Sequence, residues 1–183
     1  MRVSLLTYAG AALMGLIALE GGGRMVATQT PGPSADIQRQ AMQKLSFLAG
    51  HWSGSVSVVR GPGEPLKATQ TEEVQYKLDG LVLLVEGKST DADGKVRFSA
   101  LATIAYDDAA KTYRFRAYND GRYVDTELAV PGNGFSWSYA AGPAHVVNTM
   151  KLTEKGEWQE STEVEMGSGP PRKVVEMLLE KQP

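Results

Sequence analysis

The stretch Leu45-Ser46-Phe47-Leu48-Ala49-Gly50-His51-Trp52-Ser53-Gly54 decides the fold. An apolar turn of helix runs into a glycine, then a tryptophan, and strands follow. From there to residue 181 nearly every segment alternates apolar and polar residues and breaks at a turn signal, as half-buried antiparallel strands do. A strand-entry Gly-x-Trp ahead of a meander is expected where an up-and-down barrel begins. Gly50 ends the helix, and the Trp52 indole plugs one end of the barrel.

Tight turns fix strand register, so cross-strand pairing tests this reading. Asp79-Gly80 is a strong hairpin signal. With Leu78 opposite Leu81, Tyr76 faces Leu83, Val74 faces Val85 and Glu72 faces Gly87. Around Asp120-Gly121, Ala117 meets Val124, Phe115 meets Thr126 and Tyr113 meets Leu128. On the other face Arg116 meets Asp125 and Arg114 meets Glu127, charge pairs that belong outside. The same parity survives the turns at Asp107–Lys111, Pro131–Gly134 and Glu154–Gly156, which pair Ile104 with Phe115, Leu128 with Trp137 and Met150 with Glu160. The last strand, Lys173–Lys181, stays unassigned, because both of its faces carry apolar residues and the Gly167–Arg172 loop does not fix its register. These segments predict an all-β fold: about ten antiparallel strands in an up-and-down, lipocalin-like barrel with a short N-terminal helix. The absence of intervening helical patterns excludes a parallel α/β fold, and the absence of an internal repeat argues against a propeller.

Upstream, residues 1–30 read as a secretory signal peptide: Arg2, then an uncharged, mostly apolar run from Val3 to Leu19, then small and polar residues. Cleavage is expected between residues 20 and 31, at no single evident bond; an uncleaved membrane anchor is the alternative. Thr30-Pro31-Gly32-Pro33 is a linker, and residues 31–44 hold it together with the start of a helix capped by Ser34 and carrying Ile37, Ala41, Leu45 and Leu48 on one face. Residues 45–183 form the barrel. A body of about 150 residues buries roughly 68–70% of its unfolded surface, enough for one core without staples.

Composition narrows function. The 183-residue chain carries 19 basic and 21 acidic residues, net charge −2, with no basic stripe that would suit nucleic acid. Cysteine is absent, which removes disulfides, thiolate chemistry and an N-terminal lipid anchor. No Gly-x-Ser-x-Gly elbow is present. Gly132-x-Gly134 and Gly167-x-Gly169 precede no helix and cradle no phosphate. His51 and His145, the only histidines, have outward or rim parity and lack metal-ligand spacing.

Leu48-Ala49-Gly50-His51-Trp52-Ser53-Gly54, Leu78-Asp79-Gly80-Leu81, Thr103-Ile104-Ala105-Tyr106-Asp107 and Val174-Val175-Glu176-Met177 resemble a lipocalin-like family of secreted bacterial domains of unknown function. That family belongs to the calycin superfamily, close to nitrobindin and the fatty-acid-binding proteins. The likeness spans roughly residues 44–181 and implies a ten-stranded barrel with an interior cavity, but no agreed activity. Nitrobindin-like haem binding uses a histidine late in the chain, and Glu157–Pro183 contains none, so no cofactor is expected.

Inward parity gathers polar residues that a plain core does not need: Gln70, Glu72, Tyr76, Asn148, Glu160 and Thr162. They are the candidate ligand-binding residues, within an apolar wall of Tyr106, Tyr113, Phe115, Phe135, Trp137, Tyr139 and Trp158. The bland alternatives are core packing for the aromatics and, for Glu72 and Glu160, a place near a mouth where water still reaches them. The expectation is a periplasmic or secreted barrel, away from the membrane once the signal is removed, that carries a small, mostly apolar ligand without catalysis. Two others stand beside it: a calycin-type cyclase or isomerase using the interior carboxylates, and a solid envelope protein whose outer Val82 and Leu84 mark a contact surface. Ligand identity and oligomeric state are not legible.

Overall fold

A computed structural model describes residues 33–183; the signal-peptide reading of residues 1–30 lies outside them. Ten antiparallel strands follow one another: β1 Gly50–Val58, β2 Leu66–Lys77, β3 Val82–Thr90, β4 Val96–Asp107, β5 Thr112–Asn119, β6 Arg122–Leu128, β7 Gly134–Ala141, β8 Ala144–Leu152, β9 Trp158–Met166 and β10 Arg172–Lys181. Their order around the sheet is β6-β5-β4-β3-β2-β1-β10-β9-β8-β7, so each pairs with its sequence neighbours except β6 with β7, and β1 pairs with β10. The barrel is nearly closed. Across the last seam β6 and β7 meet through one bridge, Ala129 with Ser136 at 2.9 Å in both directions, and through the Thr126 hydroxyl donating to the Ser138 carbonyl at 3.0 Å.

The ladders carry the register that the turns dictate. Glu72 pairs with Gly87, Ile104 with Phe115, Ala117 with Val124 and Met150 with Glu160. Arg114 and Arg116 stand outside, beside Glu127 and Asp125. One detail differs: Leu78 does not join the inner face. It adopts φ +50° at the hairpin tip, ahead of Asp79 at +55°, and is 72% exposed, because the ladder ends one pair earlier at Lys77 and Val82. For β10 the structure supplies what alternation could not. A bulge at Val174 shifts the register between Lys173 and Val175, after which Val175, Met177 and Leu179 turn inward.

The helical segment closes one end. Ser34 caps α1 (Ala35–Met42), its hydroxyl accepting from the Ile37 N–H at 3.4 Å. A 3-10 stretch, Gln43–Leu48, follows at once. The tighter turn rotates the buried face away from a uniform helical stripe. Met42, Leu45 and Leu48 are therefore fully buried, while Ile37 is left exposed. Polar contacts strap this lid to the turns beneath it: Asp108 accepts from the Ser34 N–H and the Gln38 amide, and Arg39 reaches the Asp79 carbonyl and carboxylate. No helix among the described residues is long and apolar enough to cross a membrane.

Candidate functional site

The barrel is hollow between its lidded end and the opposite loops. A cavity of about 430 Å3 runs through the interior, within the size range of small-molecule sites. Its floor is Trp158, backed by Trp52, which is not itself in the lining. Trp52 and Trp158 meet edge to face at 5.6 Å, Phe135 packs on Trp158 at 5.9 Å, and the Trp52 N–H donates to the Leu48 carbonyl at 2.7 Å. Val56, Val85, Ala102, Phe115, Trp137 and Met177 stand among the walls.

Polar groups gather on the inner face beside that floor. Gln70 and Glu72 alternate along β2, and the Gln70 amide donates to Glu72 at 2.6 Å while its oxygen accepts from the Ser89 hydroxyl. Glu160 on β9 accepts from the Trp158 indole at 2.8 Å. Neither carboxyl makes an ion pair among the described residues. Burial pushes Glu72 up to about 8, the charge of Glu160 adding to the rise and the Gln70 amide opposing it. Burial pushes Glu160 up to about 7 against the pull of the Trp158 N–H. Both are therefore largely protonated below neutrality and act as hydrogen-bond donors as well as acceptors.

Gly87 makes room for this arrangement. A Cβ on Gly87 would stand 2.7 and 2.8 Å from the two Glu72 carboxylate oxygens. Gly87→Ala is expected to destabilise the fold by about 1–3 kcal/mol through overpacking, read as a lower denaturation midpoint. Because the clash is with one side chain, Gly87→Ala combined with Glu72→Ala should recover part of that loss; simple additivity would contradict the contact.

One layer nearer the mouth, the Thr162 hydroxyl donates to the Asn148 side-chain oxygen at 2.6 Å. Asn148 is 5% exposed and lines the cavity, yet its Nδ2 is a buried donor with no hydrogen-bond partner among the described residues. A buried unpaired donor costs roughly 1–3 kcal/mol. In a site it is the atom a ligand acceptor would satisfy.

The structure thus brings five of the six residues singled out by parity, Gln70, Glu72, Asn148, Glu160 and Thr162, to one cavity. Tyr76 stands apart: its hydroxyl donates to the Met42 carbonyl at 2.7 Å, as Tyr113 does to Ala41, and both fasten the lid. Of the aromatic wall, Phe115, Phe135, Trp137, Tyr139 and Trp158 line the cavity, whereas Tyr106 packs edge to face on Tyr113 at 5.0 Å. The carboxyls lie beside the indole floor rather than at the open rim. Ser89 escaped the sequence reading, although carrying the β2–β3 register two pairs past Gly87 would have placed it opposite Gln70. Arg60 and Arg97, both in the cavity lining, were missed as well. The histidines stand off the cavity: His51 is exposed on β1, and His145 Nδ1 lies 3.4 Å from Glu165 on the outer surface. Among the described residues no cluster of three or more His, Cys, Asp or Glu side chains could hold a metal ion.

No family model matches the chain, and no curated protein matches it. Among solved structures it is similar to the crystal structure of Rv2717c from M. tuberculosis, with a TM-score of 0.59 and 14% sequence identity over 78% of this chain and 98% of that one. At that identity the likeness concerns the barrel fold alone.

Proposed function

We propose that the chain is a non-catalytic carrier that holds one small, mostly apolar molecule inside the barrel, outside the cytoplasm once its signal segment is removed. The observation that carries this reading is the unpaired Asn148 Nδ2, buried in an apolar-walled cavity beside two uncompensated carboxyls. A packed core has no use for such a cluster, since each unpaired polar group costs stability. A ligand with a hydrogen-bond acceptor at its inner end uses all of it.

The same carboxyls support a second reading, a cyclase or isomerase, because neutral carboxylic acids donate protons near pH 7. The carrier is preferred on the lining: most side chains around the two carboxyls are apolar, which suits holding an apolar molecule whether or not a proton moves.

Titration with phenylnaphthylamine, an uncharged apolar fluorophore, tests the carrier. The chain should bind it with a saturable rise in fluorescence at one site. Ala117→Trp, which fills the cavity from its β5 wall, should abolish that rise while the barrel stays folded. Absence of binding to the unaltered chain, or undiminished binding to Ala117→Trp, would overturn the proposal.

A further inference from the structure

We infer that the ligand is an amphiphile with an anionic group at one end, held by Arg60 and Arg97 where the cavity opens, and a neutral hydrogen-bond acceptor at the other, held by Asn148. This rests on the carrier reading and adds the ligand's charge and its direction of entry.

The position of Arg97 is a built feature. Along β4 the inner face runs Phe98, Ala100, Ala102, Ile104, so alternation sends Arg97 outside. The β3–β4 register, however, shifts between Ser89, opposite Phe98, and Thr90, opposite Val96. Arg97 is the extra residue of that bulge, and a bulge re-aims the side chain it carries. Arg97 consequently joins the cavity lining beside Phe98, exposed where the cavity opens.

Asp91 holds one side of it, with Oδ2 2.5 Å from Nε. The other Asp91 oxygen accepts from the Asp93 and Lys95 N–H groups, and these bonds keep the carboxyl below its ordinary value and therefore charged. The two terminal nitrogens of Arg97 have no hydrogen-bond partner among the described residues. Arg60, just beyond the end of β1, lines the same cavity and makes no ion pair among the described residues. Glu64, in the same loop, is not in the cavity lining. Two cations thus face the opening against one carboxylate that is already engaged.

The inner end has the opposite character. It presents Glu72, Glu160, Asn148 and Thr162, and no lysine or arginine. An anion pushed to the floor would meet two carboxyls and no counter-charge, at a steep cost in a desolvated site. A neutral carbonyl or ether oxygen instead completes Asn148 Nδ2 and accepts from a protonated carboxyl. The apolar walls between the two ends take the ligand's body. Charge therefore fixes its orientation: neutral end first, anion last.

Two fluorophores sharing one skeleton separate this inference from the carrier reading: anilinonaphthalene sulfonate, which is anionic, and uncharged phenylnaphthylamine. The full chain should bind the sulfonate more tightly, with an affinity that weakens as salt is added. Arg60→Ala combined with Arg97→Ala should weaken the sulfonate about tenfold, as two partly exposed charge contacts imply, and leave phenylnaphthylamine unchanged. Arg60→Ala combined with Arg97→Lys, which keeps one charge at the bulge, should fall between. Unchanged phenylnaphthylamine binding also shows that each variant is folded. If both fluorophores bind equally and neither responds to the arginine changes, the anionic end is wrong and the carrier stands. If neither binds to the unaltered chain, both fall.

Discussion

Between pH 5 and pH 8 the ligand-free chain is expected to lose on the order of 5–7 kcal/mol of stability, from two groups. Glu72 and Glu160 have folded values near 8 and 7 against an ordinary carboxyl value of 4.5. In the unfolded chain both release their protons as pH rises past about 4.5, while the fold retains them. The unfolded state therefore binds fewer protons, and stability falls by about 1.4 kcal/mol per pH unit for each carboxyl until its folded value is passed. The two titrate as a coupled pair, so the decline is one broad slope rather than two steps. Asp91 and Asp108 have lowered folded values and stabilise the fold above their unfolded range, which places the acid limb lower on the pH scale. The optimum should lie near pH 5. Denaturant melts across the range read this directly, and Glu72→Gln with Glu160→Gln should flatten the slope. A slope unchanged in that double variant would show that the carboxyls are not desolvated as described.

Replacing Trp52 with alanine is expected to cost about 3–5 kcal/mol, as truncations of buried aromatics do. Trp52 is 2% exposed and joins three structures at once. Its N–H holds the end of the lid at Leu48, its ring meets Trp158 edge to face, and the ammonium of Lys181, its cross-strand partner on β10, lies over the ring at 5.2 Å from its centroid. Alanine leaves a void over the cavity floor and a Leu48 carbonyl without its partner. A denaturation midpoint unchanged by Trp52→Ala would remove the organising role assigned to Gly50-His51-Trp52. Trp52→Phe, which keeps ring volume and loses the hydrogen bond, should recover most of the loss.

What made the barrel readable was the agreement of its turns. A two-residue hairpin such as Asp120-Gly121, with φ +48° and +72°, admits one register, and each register placed the apolar residues on the same side. The site was readable to the extent that it obeys that alternation: Glu72 opposite Gly87, and Thr162 beside Asn148, follow from parity. Where the chain departs from alternation the reading stopped. The bulge at Val174 hid the inner face of β10, and the bulge at Arg97 hid a guanidinium that parity sends outside. Tyr76 has inward parity, but parity does not say how far along the barrel axis a residue sits; its hydroxyl belongs to the lid. The switch from α1 to 3-10 geometry after Met42 likewise moved Ile37 out of the buried face, because a helical stripe holds only while the pitch is constant.

Native mass spectrometry of the full chain, purified gently from its own host, tests the carrier most directly. The account predicts one added small molecule per chain, on the order of a few hundred daltons to suit the cavity. That molecule should be absent from Ala117→Trp and released intact on denaturation. A chain that emerges at its bare polypeptide mass, and that also fails to bind phenylnaphthylamine, would contradict the account.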